Sequence, residues 1–350
     1  MSGPPIEPLT EPLIEPLTKE RPMLNPPATL SLRVAEATLL NPLIRSFVLR
    51  RADGMPLPGF GAGSHLRVRV RLADGTLDWR HYSLIDTAQG GREAPAEYRI
   101  AVRLEDAGRG GSRFMHEGLQ AGDMIEVEPP KNDFALGAHA GCAVLVAGGI
   151  GITPLASMAA ARRAAGLPVR MLYAGRSRAL MAFLPELQAL LGESLAVHAD
   201  EEQGAPLDVA ALLDGCAGED QLYVCGPRVM LDAVLAASDA RGWPRERVHF
   251  ELFTAPLAAA GDQAIDLVLA QSGRQFTVPA GQSILDCMLA HGCDPLFDCQ
   301  RGECGVCSAT VVEGEPDHRD YYLSDAEKAG GKVIQICVSR AKSARLVLDL

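Results

Sequence analysis

The sequence carries no surplus of positive charge. Its 33 Lys and Arg stand against 44 Asp and Glu, a formal net charge of −11. Phosphate contacts need clustered basic side chains, so this balance argues against nucleic acid as a partner. The first residues also lack the charged start and apolar core of a secretory signal, which leads to the expectation of a cytoplasmic, reducing setting. Nor is there an unbroken hydrophobic run. "CAVLVAGGIGITPLASMAAA", residues 142–161, has the length of a bilayer span. Gly148, Gly149, Gly151 and Pro154 interrupt it, however, and Arg162 and Arg163 follow at once. A buried strand, a glycine turn and a helix account for it better, and no membrane partner is expected. Nine cysteines, an odd number, exclude a complete disulfide set, so they read as thiols or metal ligands.

What is present divides the chain. A length of 350 residues exceeds one ordinary core and suggests two or three domains. Residues 1–27 repeat Glu-Pro-Leu three times, and Pro removes backbone donors and fixes φ, so this stretch reads as a disordered or polyproline-like tail. Residues 28–137 hold short runs such as "SHLRVRVRL" and "EYRIAVRL" with period two, and turn signals such as Asp74-Gly75 between them. That pattern predicts an antiparallel β-barrel. Residues 138–256 alternate strands and helices, which predicts a parallel sheet in an α/β domain. Residues 262–350 open with two strands and a helix from about Ser283 to Ala290, and carry a capping box from Ser324 to Glu327.

The strongest chemical signal is "CQRGECGVC". Cys299, Cys304 and Cys307 form C-x4-C-x2-C, and Cys337 follows in "VIQICVSRA". This is the plant-type [2Fe–2S] pattern. Two irons need four thiolates, three from a tight loop and one from a distant element. Gly302 and Gly305 allow backbone N–H groups to approach the sulfurs. A structural zinc site also uses four cysteines, but it usually pairs two C-x2-C knuckles, and only one is present. Cys142, Cys216, Cys287 and Cys293 do not fit the spacing and receive no chemistry.

Three weaker motifs precede it. "RHYSL", residues 80–84, offers the Arg80 fork for a phosphate, the Tyr82 ring face and the Ser83 hydroxyl. "GRGGS", residues 108–112, adds a glycine-rich turn with a hydroxyl. "GGIGITP" follows a buried strand, with Thr153 expected to cap a helix whose first turn holds Pro154. Glycines before a helix N-terminus suit a pyrophosphate. Pro154 stands where a Rossmann fingerprint has its third Gly, and the next strand ends in Arg176-Ser177-Arg178 rather than an acidic residue, so this is a different nucleotide turn. Each of these three is ordinary when taken alone.

In this order, with "CGPRVM" between the nucleotide turn and the cysteine loop, the motifs resemble the ferredoxin–NADP reductase superfamily. The sequence of barrel, nucleotide domain and C-terminal ferredoxin is most similar to the phthalate dioxygenase reductase family, which includes vanillate O-demethylase reductases. The resemblance spans residues 28–350. It implies an FMN-binding barrel, an NAD(P)-binding domain and an α+β β-grasp ferredoxin domain. Arg80, Tyr82, Ser83, Val102, Arg103, Gly111 and Ser112 would hold the flavin. Gly149, Gly151, Ile152, Thr153, Cys225, Gly226 and Pro227 would hold the nucleotide, with Cys225 near the nicotinamide in a positioning role. Arg176 and Arg178 raise the 2′-phosphate of NADPH, although the family mostly prefers NADH. Electrons would pass from NADH through FMN and a [2Fe–2S] cluster held by Cys299, Cys304, Cys307 and Cys337 to a separate Rieske-type oxygenase of aromatic catabolism. The chain has no C-x-H…C-x2-H pair for a Rieske cluster of its own. Two other readings remain: an FAD-containing reductase for a non-Rieske oxygenase, and a cluster-bearing redox sensor that turns over no nucleotide.

Overall fold

A computed structural model describes residues 29–106, 108–205, 207–253 and 261–350. The Pro-rich stretch 1–27 lies outside the described residues. Three sheets follow one another along the chain, and each strand's residue pattern shows which face is buried.

The first sheet contains β1 (Leu30–Asn41), β2 (Ile44–Arg51), β3 (His65–Arg71), β4 (Leu77–Ser83), β5 (Tyr98–Arg103) and β6 (Met124–Val127). Its order is β4-β3-β6-β1-β2-β5, and every pairing is antiparallel. The alternation in β3 shows why. Leu66, Val68 and Val70 are fully buried, while Arg67 and Arg69 point outwards to Glu128 and Glu126. Burying each such apolar side chain contributes about 1.5–3 kcal/mol. Just past β4, the Ile85 amide donates to the Arg99 carbonyl of β5 at 2.9 Å, so the two outer strands of the order approach each other.

The second sheet contains β7 (Ala143–Gly148), β8 (Val169–Gly175), β9 (Leu195–Ala199), β10 (Gln221–Cys225) and β11 (Val248–Glu251). All its pairings are parallel, in the order β11-β10-β7-β8-β9. β7 is apolar throughout and buried along its length, as a strand covered on both faces must be. The carboxyl ends of β7 and β10 therefore lie side by side on one edge, where ligands meet such sheets.

Here the structure corrects one expectation. Thr153 does not cap the following helix: Gly149–Gly151 form a 3-10 turn, Gly151 is the N-cap, and the helix runs Ile152–Ala164. Thr153 lies inside it, buried, and its hydroxyl donates to the Ile150 carbonyl at 3.0 Å. The extra glycine turn starts the helix before Thr153 can do so.

The third sheet contains β12 (Ile265–Leu269), β13 (Gln275–Val278), β14 (Ser308–Glu313), β16 (Val333–Gln335) and β18 (Arg345–Leu348), with a small separate pair formed by β15 (Pro316–Asp317) and β17 (Arg340–Ala341). Its order is β13-β12-β18-β14-β16, with one parallel pairing, β12 to β18. The helix Ile284–Ala290 buries Ile284, Leu285, Cys287 and Met288 against it, and the Ser283 hydroxyl caps that helix. The Ser324–Glu327 capping box forms as expected from sequence.

The sheets are not independent. One core runs from Ile44, Ile85 and Phe134 beside the first sheet to Leu145, Tyr173 and Cys225 in the second. Across the same seam, the Ser157 hydroxyl donates to the Leu84 carbonyl and accepts from the Asp86 amide, both at 2.9 Å. Fully buried Arg162 fixes the connection between them by donating to the carbonyls of His139, Gly141 and Pro168.

Candidate functional site

Strand β4 and the turn after β5 build the first cradle. A Cβ added to Gly111 would lie 3.2 Å from Arg80 Nε and 3.1 Å from Val70 Cγ2, so a larger residue there would crowd the guanidinium. Arg80 donates to Asp78 at 2.6 Å, and Arg109 donates to the same oxygen at 2.9 Å. Burial works against the Asp78 carboxylate, but Arg80, the Trp79 amide and Arg109 outweigh it and hold its pKa below the usual range. Two guanidiniums thus meet at one glycine turn, balanced by one carboxylate. Ser112 accepts from the Glu105 amide at 3.0 Å, and Arg103 pairs with Glu105, also at 3.0 Å. The Val102 carbonyl faces the His116 ring at 2.8 Å. Tyr82 packs against the core of the first sheet, and Ser83 is buried. Sequence reasoning passed over Asp78 and Arg109. Arg109 sits inside "GRGGS", but only the fold shows that Asp78 joins it to Arg80.

At the carboxyl edge of the parallel sheet, two glycine turns interlock. A Cβ on Gly151 would lie 2.1 Å from the Cys225 carbonyl oxygen, and one on Gly148 2.5 Å from Pro227 Cδ. A Cβ on Gly226 would meet Met230 Cε at 2.3 Å and Gly148 Cα at 2.9 Å. Only glycine lets these backbones pass so closely. Gly149 has φ of +55° with open space around its missing Cβ, and its carbonyl accepts from the Tyr173 hydroxyl at 3.2 Å. The structure therefore brings Gly149, Gly151, Cys225, Gly226 and Pro227 together, with buried Ile152 opening the helix behind them. Cys225 is fully buried, and burial followed by Glu251 and Glu303 pushes its thiol well above the usual range. Arg176 is exposed just beyond the end of β8, and its carbonyl accepts from the Glu201 amide. Arg178 pairs with Glu202 at 2.6 Å.

The cysteine loop comes between the helix Ile284–Ala290 and β14. Gln300, Gly302 and Gly305 take φ of +55°, +79° and +76°, which winds the loop tightly around its own sulfurs. A Cβ on Gly302 would collide with Val338 Cγ2 at 2.7 Å, next to Cys337, and one on Gly305 would enter the Tyr322 ring at 2.3 Å. Cys299, Cys307 and Cys337 are buried and Cys304 is half-buried. Their thiols interact as two pairs, Cys299 with Cys304 and Cys307 with Cys337. Cys304, followed by the amides of Arg301, Glu303 and itself, holds the Cys299 thiol below its ordinary range against the effect of burial. The Arg301 amide lies 3.3 Å from Cys299 Sγ. Among the described residues, no three His, Cys, Asp or Glu side chains converge as one metal ion would require. A single tetrahedral zinc needs four donors around one centre. Four cysteine thiolates are also the donor set of a [2Fe–2S] cluster, and Cys299, Cys304, Cys307 and Cys337 would supply it.

Residues 267–342 match the 2Fe-2S iron-sulfur cluster binding domain. Residues 123–248 match the N-terminal domain of dimethylamine monooxygenase subunit DmmA-like proteins. The chain is 42% identical to tetrachlorobenzoquinone reductase of Sphingobium chlorophenolicum, over 94% of this chain and 100% of that one. It is 40% identical to a putative toluene-4-sulfonate monooxygenase system reductase subunit of Comamonas testosteroni, over 86% of this chain and 93% of that one. Its fold superposes on phthalate dioxygenase reductase, described as a modular structure for electron transfer from pyridine nucleotides to [2Fe–2S]. There the TM-score is 0.70 at 37% identity, covering 92% of this chain and 98% of that one.

The chain belongs to the phthalate dioxygenase reductase family.

It is an electron-transfer oxidoreductase that uses a flavin and a [2Fe–2S] cluster. The family resemblance read from the motifs holds, as does the expected succession of an antiparallel sheet, a parallel sheet and an iron–sulfur module. No helix among the described residues is long and apolar enough to cross a membrane.

Proposed function

We propose that this reductase carries electrons from NADH through FMN and its [2Fe–2S] cluster to a separate Rieske-type oxygenase. In this reading residues 28–137 are an FMN-binding β-barrel, 138–256 the NADH-binding domain and 262–350 a β-grasp ferredoxin domain. Arg80, Arg109, Gly111 and Ser112 take the flavin phosphate, while Tyr82, Ser83, Val102 and Arg103 line the rest of that site. Gly149, Gly151, Ile152 and Thr153 form the floor for the pyrophosphate. Cys225, Gly226 and Pro227 flank the nicotinamide, and Cys225 acts by shape, since its buried thiol stays protonated. Cys299, Cys304, Cys307 and Cys337 hold the irons.

The observation that carries the reading is the meeting of these sites. Arg301, in the cluster loop, lies 3.8 Å from Glu251 at the end of β11, and Glu251 is the register partner of Cys225 at the nucleotide turn. A nicotinamide gives up two electrons together and a [2Fe–2S] centre accepts one, so a bound flavin supplies the step from pairs to single electrons. The chain's residues orient the cofactors and exclude water, and no side-chain acid or base is required for direct hydride transfer. The relatives named for monooxygenase and dioxygenase systems support a separate oxygenase as acceptor.

Release of the bound flavin by denaturation, followed by chromatography, tests the cofactor assignment. FMN is expected; FAD would overturn that assignment and favour a reductase for another class of oxygenase. Steady-state turnover with NADH and NADPH in parallel tests the donor, with higher kcat/KM expected for NADH. Arg178 is already paired with Glu202 and so is less free to take a 2′-phosphate.

A further inference from the structure

The cluster loop does more than enclose the irons. Arg301 leaves it and enters the seam with the parallel sheet, where it is buried between two carboxylates. Its Nη2 lies 3.8 Å from Glu251 at the end of β11, and its Nε 3.5 Å from Glu303. Glu303 in turn accepts from the Leu252 amide. Glu251 Oε2 and the Nε and Nη2 of Arg301 reach no hydrogen-bond partner among the described residues. A buried charge held by ion pairs rather than full hydrogen bonding is costly to separate from its partner. The stacked rings of His65 and His81 in the first sheet lie within electrostatic reach of this charge.

A second contact lies beside the first. The Gly302 carbonyl accepts from the amides of Tyr321 and Tyr322 at 3.0 and 3.1 Å, so the loop is tied to these tyrosines through the backbone. Tyr321 is pinned to the parallel-sheet unit. Its hydroxyl donates to Asp232 at 2.6 Å, Arg228 lies 5.5 Å over its ring, and Phe250 packs edge-on at 5.7 Å. Arg245 also donates to the Tyr321 carbonyl at 2.8 Å.

We propose that Arg301 and Tyr321 form a two-point latch, as positioning residues, that holds the cluster loop against the nucleotide edge so that electrons pass within the molecule. Arg301 sets the approach of the loop to Cys225, and Tyr321 sets its rotation. Neither residue touches the reacting atoms. The latch rests on the reading of flavin and cluster as successive carriers.

The test uses anaerobic stopped-flow mixing of the holoprotein with NADH, following flavin bleaching and cluster reduction separately. Arg301→Ala is expected to leave flavin bleaching at the parent rate and to slow cluster reduction about tenfold, since small misplacements act on this scale or more. Arg301→Lys is expected to recover part of the rate. Tyr321→Phe keeps the ring and is expected to slow the same step less, and it carries the test if the Arg301 variants lose the cluster. Hydrogen exchange gives a readout independent of turnover: the Leu252 amide is expected to lose protection in Arg301→Ala. Cluster reduction at the parent rate, or an equally protected Leu252 amide, would overturn the latch. So would a shifted cluster EPR signal or midpoint potential in Tyr321→Phe, which leaves the Arg301 charge in place, because Tyr321 would then act on the irons themselves. If the carrier order itself is wrong, the parent cluster will not be reduced by NADH at all, which separates that failure from failure of the latch.

Discussion

At the scale of single residues, the cysteine pattern of an iron–sulfur domain was legible because its chemistry depends on residue type at fixed local spacing. Asp78 and Arg109 were not, because their meeting with Arg80 depends on the register of β4 against a turn about thirty residues away in sequence. Arg80→Ala is expected to weaken FMN binding. Charge-assisted hydrogen bonds contribute about 1.5–3 kcal/mol, which corresponds to about 10- to 150-fold in Kd. Titration of flavin-free protein with FMN, read by fluorescence quenching, checks this. Arg80→Lys should recover only part, because an ammonium lacks the guanidinium fork. Cys304→Ser should abolish the reduced-cluster EPR signal while flavin reduction by NADH persists. A cluster signal of unchanged size and shape would remove Cys304 from the ligand set.

At the scale of elements, period-two runs located strands such as β3 and β5, and local capping patterns located two helix starts. Ser283 and Ser324 cap their helices as a local sequence pattern can show. Thr153 fails as a cap because glycine torsions upstream, invisible in residue types alone, open the helix earlier. Ser324→Ala should cost about 1 kcal/mol of stability, measured by urea unfolding of the holoprotein. The cluster loop is the most constrained element. Gly305→Ala places a side chain at φ of +76° directly under the Tyr322 ring, so cluster loss on dilution should accelerate sharply, followed by the decay of visible absorbance. Loss at the parent rate would mean that Tyr322 moves aside at little cost.

At the scale of the whole molecule, the succession of sheets was legible, since parallel and antiparallel sheets carry different hydrophobic patterns. How the parts touch was not. Arg301 and Glu251 are about fifty residues apart, and nothing local marks them as neighbours. Tyr321 and Asp232 pair across a still longer separation, 89 residues. Such contacts depend on how three independently patterned units pack, and no periodicity within one unit reports it. In the proposed reading they are also where the nucleotide edge and the cluster loop meet on one electron path. That path is the central claim, and anaerobic titration of the iron-replete holoprotein with NADH, read by visible and EPR spectra, tests it most directly. The account expects flavin bleaching together with a rhombic reduced [2Fe–2S] signal. Flavin bleaching without any cluster signal would contradict it.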